Sequence, residues 1–222
     1  MKRLFIIVLV FFLGNNCFSQ EAIDPKAKKI LDELSAKTKT YTSVKAEFTI
    51  TLIGKDKKTT EMQSASVLLK GSRYKLKIKG QDIISDGKTI WTCLMDSKET
   101  QINCVDAKSA DAVTPSNMFT LYETGFKYKF NKEEMQGGKM MQLIDLYPLN
   151  PDKKKFHTAK LVIDKTKKQI VSIKLMMKDG GIQTFVIKLF TPNAEMSDAM
   201  LMYDPKIYLG YEQVDLREGE CR

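Results

Sequence analysis

The feature that most constrains the fold is a strict alternation of apolar and charged side chains over residues 73–79. Tyr74, Leu76 and Ile78 occupy every second position, and basic residues fill the positions between them. Successive side chains of a β-strand point to opposite faces, so this pattern predicts a strand with one apolar and one solvated face. Asp86-Gly87 then predicts a two-residue hairpin turn, because both residue types tolerate a positive φ angle.

The same alternation recurs through most of the chain, interrupted by short polar or glycine-containing turns. It predicts roughly ten strands in a mainly β (α+β) fold, a single curved antiparallel sheet that forms an incomplete barrel. Asp24-Pro25 supplies an N-cap and a proline at the first position of one amphipathic helix, and residues 115–124 are expected to form a second. These helices would cover the apolar side of the sheet as a lid over a cavity, although completing a solid core is the alternative.

Residues 1–19 have the pattern of a cleaved signal peptide. A short basic start precedes an apolar run that is too short to span a bilayer as a helix. The alternative is lipidation at Cys17, but Gly14 and Asn16 stand where that motif needs an aliphatic and a small residue. We therefore expect an exported, periplasmic protein in which residues 20–222 form one domain.

The formal net charge is +9, from 36 basic and 27 acidic residues. A solvated, lysine-rich surface is the simplest interpretation, and attraction to an anionic membrane surface is the functional alternative. An exported chain without clustered arginines or aromatic stacking motifs is not expected to bind nucleic acid. The cysteines and the lone His157 suggest no metal site, and no catalytic motif or phosphate-binding loop suggests an enzyme.

Two cysteines are expected to form a disulfide. Cys93 and Cys104 lie on the arms of a hairpin whose turn is expected near residues 97–100, which would place them directly opposite each other. Export exposes both thiols to an oxidising compartment. Two reduced core cysteines are the alternative, and Cys221 is expected to be unpaired.

Several short motifs together resemble the LolA-type outer-membrane lipoprotein carrier proteins of the Gram-negative periplasm. The most specific is IISDGKTIW, residues 83–91. Other motifs agree in order and spacing: VKAEFT at 44–49, an apolar strand ending at Lys70, residues 115–121, Leu146-Tyr147-Pro148, Ile163-Asp164 and a turn at Gly181.

The resemblance implies an unclosed barrel whose apolar cavity shelters the acyl chains of lipoproteins. Such a carrier would be a monomer without a cofactor. It would take cargo from an inner-membrane lipoprotein-releasing transporter and deliver it to an outer-membrane acceptor that the sequence does not identify. The alternatives are a carrier of another lipid or apolar molecule, and an envelope-sensing module that binds a protein partner.

The resemblance and the alternation together suggest which side chains form the site, with ordinary core packing as the alternative for each. The residues expected to line the cavity are Phe48, Ile50, Tyr74, Leu76, Ile78, Trp91, Leu161, Ile163, Ile173, Leu175, Phe185 and Ile187. The residues expected in the lid are Ile30, Leu34, Met118, Phe119 and Leu121.

One departure from the family concerns how the lid is held. The family commonly has Lys-Arg-Pro after its apolar strand, and the arginine helps to latch the lid. Lys70, Gly71 and Ser72 occupy those positions here, and Arg73 follows two residues beyond the expected arginine. The latch role is therefore not transferred to Arg73.

Overall fold

Residues 24–105, 114–115 and 117–221 are described by a computed structural model, and within them twelve strands form one sheet. The strands are β1 (Val44–Ile53), β2 (Thr60–Lys70), β3 (Arg73–Ile78), β4 (Gln81–Ser85), β5 (Thr89–Leu94), β6 (Glu99–Cys104), β7 (Phe126–Gln136), β8 (Lys139–Pro148), β9 (Phe156–Asp164), β10 (Gln169–Met177), β11 (Ile182–Pro192) and β12 (Glu212–Asp215). One α-helix, α1 (Pro25–Thr38), precedes them in this part of the chain.

The strand order shows an open, curved sheet made of two antiparallel meanders. Strands β1 to β6 follow one another on one side, β7 to β11 follow one another on the other, and β1 pairs with β11 to join the two halves. Strand β12 adds to β6 in parallel, so β12 and β7 are the two edges and the sheet does not close. The predicted mainly β fold with an incomplete barrel is confirmed.

The alternation in β3 defines the two faces of the sheet. Tyr74 and Leu76 are buried on the face that also carries Phe48 and Val67, which we call the inner face. The side chains between them point to the opposite, outer face. The register of each strand pair carries this assignment across the sheet, because directly paired residues share a face.

Helix α1 begins where the sequence predicts. The Asp24 carboxylate accepts hydrogen bonds from the backbone N–H groups of Lys26 and Ala27, at 3.0 and 3.1 Å, and proline occupies the first turn. The buried face of the helix carries Ala27, Ile30, Leu31 and Leu34. This apolar face packs on the inner face of the sheet, mainly over β7 and β10.

The prediction of a second helix over residues 115–124 is wrong, because the described part of this segment is a series of turns. Its backbone bonds mostly join residues three apart, as from the Thr120 N–H to the Asn117 carbonyl at 3.0 Å. The Asn117 side chain also accepts a hydrogen bond from the Thr114 N–H at 2.7 Å. Polar side chains that bond the local backbone compete with helical hydrogen bonds. A short segment also forms too few helical hydrogen bonds to offset the free-energy cost of helix nucleation.

The predicted Cys93–Cys104 disulfide is also wrong. The β5–β6 turn occupies residues 95–98, so Cys93 lies opposite Thr100 rather than opposite Cys104. Cys93 is a buried free thiol, and Cys104 is instead bonded to Cys221, which had been expected to be unpaired. An error of two residues in the turn position was enough to separate the two cysteines along the hairpin.

The Cys104–Cys221 disulfide fastens a long C-terminal segment, residues 193–221, which we call the strap. The strap leaves β11, forms a 3₁₀ turn at Asp198–Leu201, passes over the outer face of β3 to β5 and ends beside β6 through β12. It therefore covers the outer face of the first meander from β3 to β6.

Candidate functional site

The inner face carries a continuous apolar surface. Eleven of the twelve residues predicted to line a cavity belong to the two hydrophobic clusters on this face, which share Phe185 and Ile187. They are Phe48, Ile50, Tyr74, Leu76, Ile78, Leu161, Ile163, Ile173, Leu175, Phe185 and Ile187. Their placement on one face follows from the structure, whereas their contact with a ligand stays a prediction.

Strand pairing aligns these side chains into rows that cross the sheet. One row runs over five strands through Ile144, Leu161, Ile173, Phe185 and Ile50. A second row, Ile187–Phe48–Ala65–Ile78, crosses four strands. The two rows meet at β1 and β11, so the apolar surface extends without a polar break across the junction of the two meanders.

Trp91 is the twelfth residue predicted to line the cavity, and it lies on the outer face instead. It pairs with Ile84 in β4 and stacks on Tyr203 of the strap, with ring centroids 5.3 Å apart. The sequence has apolar doublets here, Ile83-Ile84 and Ile90-Trp91, and both members of a doublet are partly or fully buried. A doublet does not reveal which member points inward, so the alternation could not assign Trp91 to a face.

The predicted lid residues all lie against the inner face. Ile30 and Leu34 from α1, together with Leu121, belong to the cluster over the second meander. Met118 and Phe119 belong to the cluster over the first meander, where the Phe119 ring meets Phe190 edge-on at 5.4 Å. We call the described residues of segment 114–122 the turn cover, and together with α1 it forms the covering layer of this face.

Helix α1 is held to the second meander by polar contacts at several points. The second carboxylate oxygen of Asp24 accepts a hydrogen bond from the Phe130 N–H at 2.8 Å, and the Lys26 ammonium lies 3.7 Å from the centre of the Phe130 ring. Glu33 pairs with Lys168 at 3.2 Å. The backbone hydrogen bonds from Ala27 and Phe130 lower the pKa of Asp24 below its ordinary value.

The residue that directly follows the turn cover, Glu123, joins it to α1. Glu123 accepts a hydrogen bond from the Ser35 hydroxyl and pairs with the Lys39 ammonium at 3.5 Å. Tyr122 is buried beside these contacts, and this burial raises its pKa to about 12. The hydroxyl is therefore neutral at physiological pH and adds no charge beneath the cover.

Arg73 lies on the outer face, away from the covering layer. Its guanidinium lies 3.5 Å from Asp198, and Lys70 pairs with the same carboxylate at 2.7 Å. Asp198 belongs to the strap, which covers the outer face. The contacts of Asp24 and Glu123 therefore hold the covering layer without the family's arginine.

The motif at residues 83–91 has a structural explanation. Asp86 accepts hydrogen bonds from the N–H groups of Lys88 and Thr89, at 2.8 and 2.7 Å, and its own N–H donates to the Thr89 carbonyl at 3.3 Å. The two-residue turn is therefore centred on Gly87 and Lys88, one residue later than expected. Gly87 has a φ angle of 97° and lies against Ser72, where a Cβ atom would collide with the serine side chain. Glycine is therefore required at this position.

Sequence reasoning missed a buried polar group under the strap. The Tyr208 hydroxyl donates a hydrogen bond to Asp82 at 2.8 Å, and the Cys93 thiol is buried in the same cluster. Burial raises the pKa of Cys93, and burial followed by the Asp82 contact raises that of Tyr208. The concentration of three tyrosines, Tyr203, Tyr208 and Tyr211, within nine residues was a signal in the sequence that the strap packs inward.

Two kinds of feature are absent from the described residues. Over residues 24–105, 114–115 and 117–221, no three His, Cys, Asp or Glu side chains are grouped so as to hold a metal ion. Within the same ranges, no helix combines the length and apolar character needed to cross a membrane.

Comparisons with known proteins agree with this architecture. The family model described as outer membrane lipoprotein carrier protein LolA matches residues 39–204. No curated protein matches the sequence significantly.

Solved structures resemble the chain at low sequence identity. An uncharacterized conserved protein from Thermus thermophilus aligns with a TM-score of 0.56 and 14% identity over 85% of this chain and 98% of that one, which shows a shared fold. The Mycobacterium tuberculosis lipoprotein LppX has a TM-score of 0.47 and 16% identity over 77% and 98% of the two chains. The Pseudomonas aeruginosa MucA/MucB complex contains a chain with a TM-score of 0.38 and 11% identity over 82% and 62%.

Proposed function

This chain belongs to the LolA family of outer membrane lipoprotein carrier proteins, and we propose that it carries the acyl chains of lipoproteins on the inner face of its sheet. The observation that supports this most directly is the apolar surface of eleven residues beneath a covering layer. Among the described residues, no disulfide joins that layer to the sheet. Acyl chains would take the place of the turn cover and keep the same surface out of water.

The energetics of acyl burial explain why a carrier is needed. Burial stabilises each methylene group of a lipid by about 0.8 kcal/mol, so an acylated protein does not leave a membrane unaided. The inner face supplies an apolar environment, and the turn cover competes with the acyl chains for it. Competition of this kind weakens net binding, which allows delivery to an acceptor that binds the cargo more tightly.

The cellular setting belongs to the same proposal. We place the chain in the periplasm as a monomer, after cleavage of residues 1–19, with a lipoprotein-releasing transporter of the inner membrane as its donor. The acceptor at the outer membrane is not identified by any described residue. The role proposed is that of a carrier that binds and releases its cargo without chemical change, and not that of an enzyme.

A second candidate function is carriage of another lipid. It is favoured by one observation: the family's latch arginine is replaced by Gly71, and Arg73 is engaged with Asp198 on the outer side. A differently fastened cover would suit cargo of a different size. This candidate keeps the same inner face and changes only the molecule that occupies it.

The experiment that tests the proposal is release of newly made lipoproteins from spheroplasts by the chain that begins at Gln20. The informative variant is Ile187→Glu, which places a charge on the inner face where both clusters meet. The matched control is Val186→Glu, the preceding residue on β11, which is also partly buried but points to the outer face. Both variants change the net charge equally.

We expect release by the unmodified chain and by Val186→Glu, and loss of release by Ile187→Glu. Circular dichroism would establish that both variants are folded. Equal release by the two variants would show that the inner face is not the binding surface. No release by the folded, unmodified chain would favour the second candidate, which mass spectrometry of lipids extracted from the purified protein would then examine.

A further inference from the structure

One end of the sheet concentrates lysines from three loops that are distant in sequence. The β1–β2 loop carries Lys55, Lys57 and Lys58, the β8–β9 loop carries residues 153–155, and the β10–β11 turn carries Lys178. Each loop contributes one aspartate, so seven lysines face three carboxylates. We call this surface the basic rim.

The three loops form one continuous surface, because hydrogen bonds join each to the next. The Lys57 ammonium donates to the Gly180 carbonyl, which links the first loop to the β10–β11 turn. The Lys178 ammonium donates to the Pro151 carbonyl at 2.6 Å, and the Lys178 N–H donates to the Lys155 carbonyl at 3.0 Å. The lysines are therefore held close together by the fold itself.

Two of the three aspartates of the rim accept hydrogen bonds within their own loops. Asp56 accepts hydrogen bonds from the N–H groups of Lys58 and Thr59 and from the Thr59 hydroxyl, and Asp179 accepts one from the Gly181 N–H. Among the described residues, Lys55, Lys58, Lys153 and Lys155 are exposed and take part in no ion pair. Their charge is thus directed to the solvent.

The opposite end of the sheet differs in this respect. The β9–β10 turn also carries three lysines, about 30 Å away at the far end of β9. There Lys165 pairs with Glu133 at 2.8 Å and Lys168 pairs with Glu33 at 3.2 Å. Lys165 and Lys168 thus fasten β7 and α1, whereas Lys55, Lys58, Lys153 and Lys155 of the basic rim are available to a partner.

Exposed apolar side chains accompany the basic rim. Leu149, in the β8–β9 loop, is 52% exposed, and Met62, close to the start of β2, is 71% exposed. The Leu149 N–H donates to the Gly125 carbonyl at 2.9 Å, so this leucine lies where the chain leaves the turn cover and enters β7. Lysines together with exposed apolar and aromatic side chains are typical of surfaces that rest on a bilayer.

We propose that the basic rim docks this protein onto a bilayer of anionic phospholipids, with Leu149 entering the interface beside the turn cover. A bilayer fits better than an acidic protein, because the charge is spread over the tips of three loops rather than gathered at one point. Docking would bring the end of the turn cover against the membrane, where an acyl chain could pass without crossing water. Docking is a property separate from the cargo that the protein carries, and vesicles of phospholipid without any lipoprotein can test it.

The test is co-sedimentation of the chain that begins at Gln20 with vesicles of phosphatidylglycerol and phosphatidylethanolamine, compared with phosphatidylcholine alone. We expect binding to the anionic vesicles only, and weaker binding as salt is raised. The variant K58Q/K153Q/K155Q should lower partitioning by about a hundredfold, since each lysine near an anionic surface contributes about fivefold. Leu149→Ser should lower it further without changing the salt dependence.

The matched control is K165Q/K167Q/K168Q, which removes the same charge from the opposite end of β9. It should change partitioning less than about threefold, since those lysines lie more than a Debye length from the docked surface. Equal losses in the two triple variants would overturn the inference in favour of net charge alone. Binding that is no stronger to anionic than to neutral vesicles would overturn it too, because the lysines would then add no attraction to the bilayer, and absence of binding to both would favour an acidic protein as the partner. None of these outcomes depends on lipoprotein release, so the two proposals fail separately.

Discussion

The two faces of the first meander are covered by segments of different kinds. On the outer face, the strap is fastened by the Cys104–Cys221 disulfide, by the pairing of Asp198 with Lys70 and Arg73, and by the stacking of Tyr203 on Trp91. On the inner face, the turn cover lies on a larger apolar surface through side-chain packing, with Glu123 as its polar link to α1.

This difference separates permanent structure from exchangeable structure. A covalent crosslink and a buried hydrogen bond make the strap part of the folded core. The turn cover has few regular backbone hydrogen bonds, and a segment of this kind is drawn from the low-stability end of a protein. We infer that ligand exchange belongs to the inner face.

The largest expected effect comes from releasing the strap. The variant C104S/C221S should lower the free energy of unfolding by about 2–5 kcal/mol, because the crosslink closes a long loop. Urea denaturation of the chain that begins at Gln20 measures this loss. Cys93 is then the sole thiol, and its alkylation should remain slow until the strap opens, since burial raises the pKa of Cys93.

If the strap and the turn cover act independently, the C104S/C221S variant should still bind a fluorescent acyl probe on its inner face. Loss of probe binding in protein shown to be folded by circular dichroism would mean that the strap supports both faces. The division between permanent and exchangeable covers would then be wrong.

The features that could be predicted from the sequence are those set by residues close together along the chain. The alternation of Tyr74, Leu76 and Ile78 was enough to assign a face, and Asp24-Pro25 was enough to place the start of α1. These signals are local, because a strand or a helix end is decided within a few residues. The same reasoning therefore assigned eleven inner-face positions and the open sheet.

Sequence reasoning failed where distant contacts decide the outcome. Lys98 adopts a φ angle of 51° and ends the β5–β6 turn earlier than composition suggested, which moved Cys93 away from Cys104. The pairing of Cys104 with Cys221 depends on the path of the whole strap. No local pattern encodes that path, so neither the disulfide nor the outer position of Trp91 could be read from the sequence.

A smaller loss is expected from the hydrogen bond beneath the strap. Tyr208→Phe removes the donor to Asp82, whose other carboxylate oxygen has no hydrogen-bond partner among the described residues and whose nearest cation, Lys77, is 3.9 Å away. Leaving a buried carboxylate less satisfied should cost about 1–3 kcal/mol in urea denaturation. Tyr203→Phe is the control, since its hydroxyl bonds Gln213 at the surface, and a change within about 0.5 kcal/mol is expected.

On the inner side, the anchoring of α1 should depend on pH. Asp24→Ala should lower stability at neutral pH by about 0.5–2 kcal/mol through loss of the N-cap and of the tie to Phe130. The pKa of Asp24 is lowered in the folded state, so its contribution is present above the unfolded value of about 3.9 and is lost as pH falls through the folded value. The difference in free energy of unfolding between wild type and variant should therefore become smaller in acid. A gap that stays constant down to low pH would show that the carboxylate charge plays no part.

The smallest effect on stability is expected in the turn cover itself, and it is the sharpest test of the division. Phe119→Ala should cost only about 1 kcal/mol, although Phe119 is buried, because a cover without regular structure can settle onto the space left behind. The matched control is Phe156→Ala, a buried phenylalanine of β9 stacked on Phe126, which should cost roughly 3–5 kcal/mol in the same urea titration. Phe119→Ala should also strengthen binding of the acyl probe, since a weaker cover competes less for the inner face. Equal losses of stability in the two variants would show that the turn cover is as firmly packed as the sheet, and an acyl chain would then need another route to the inner face.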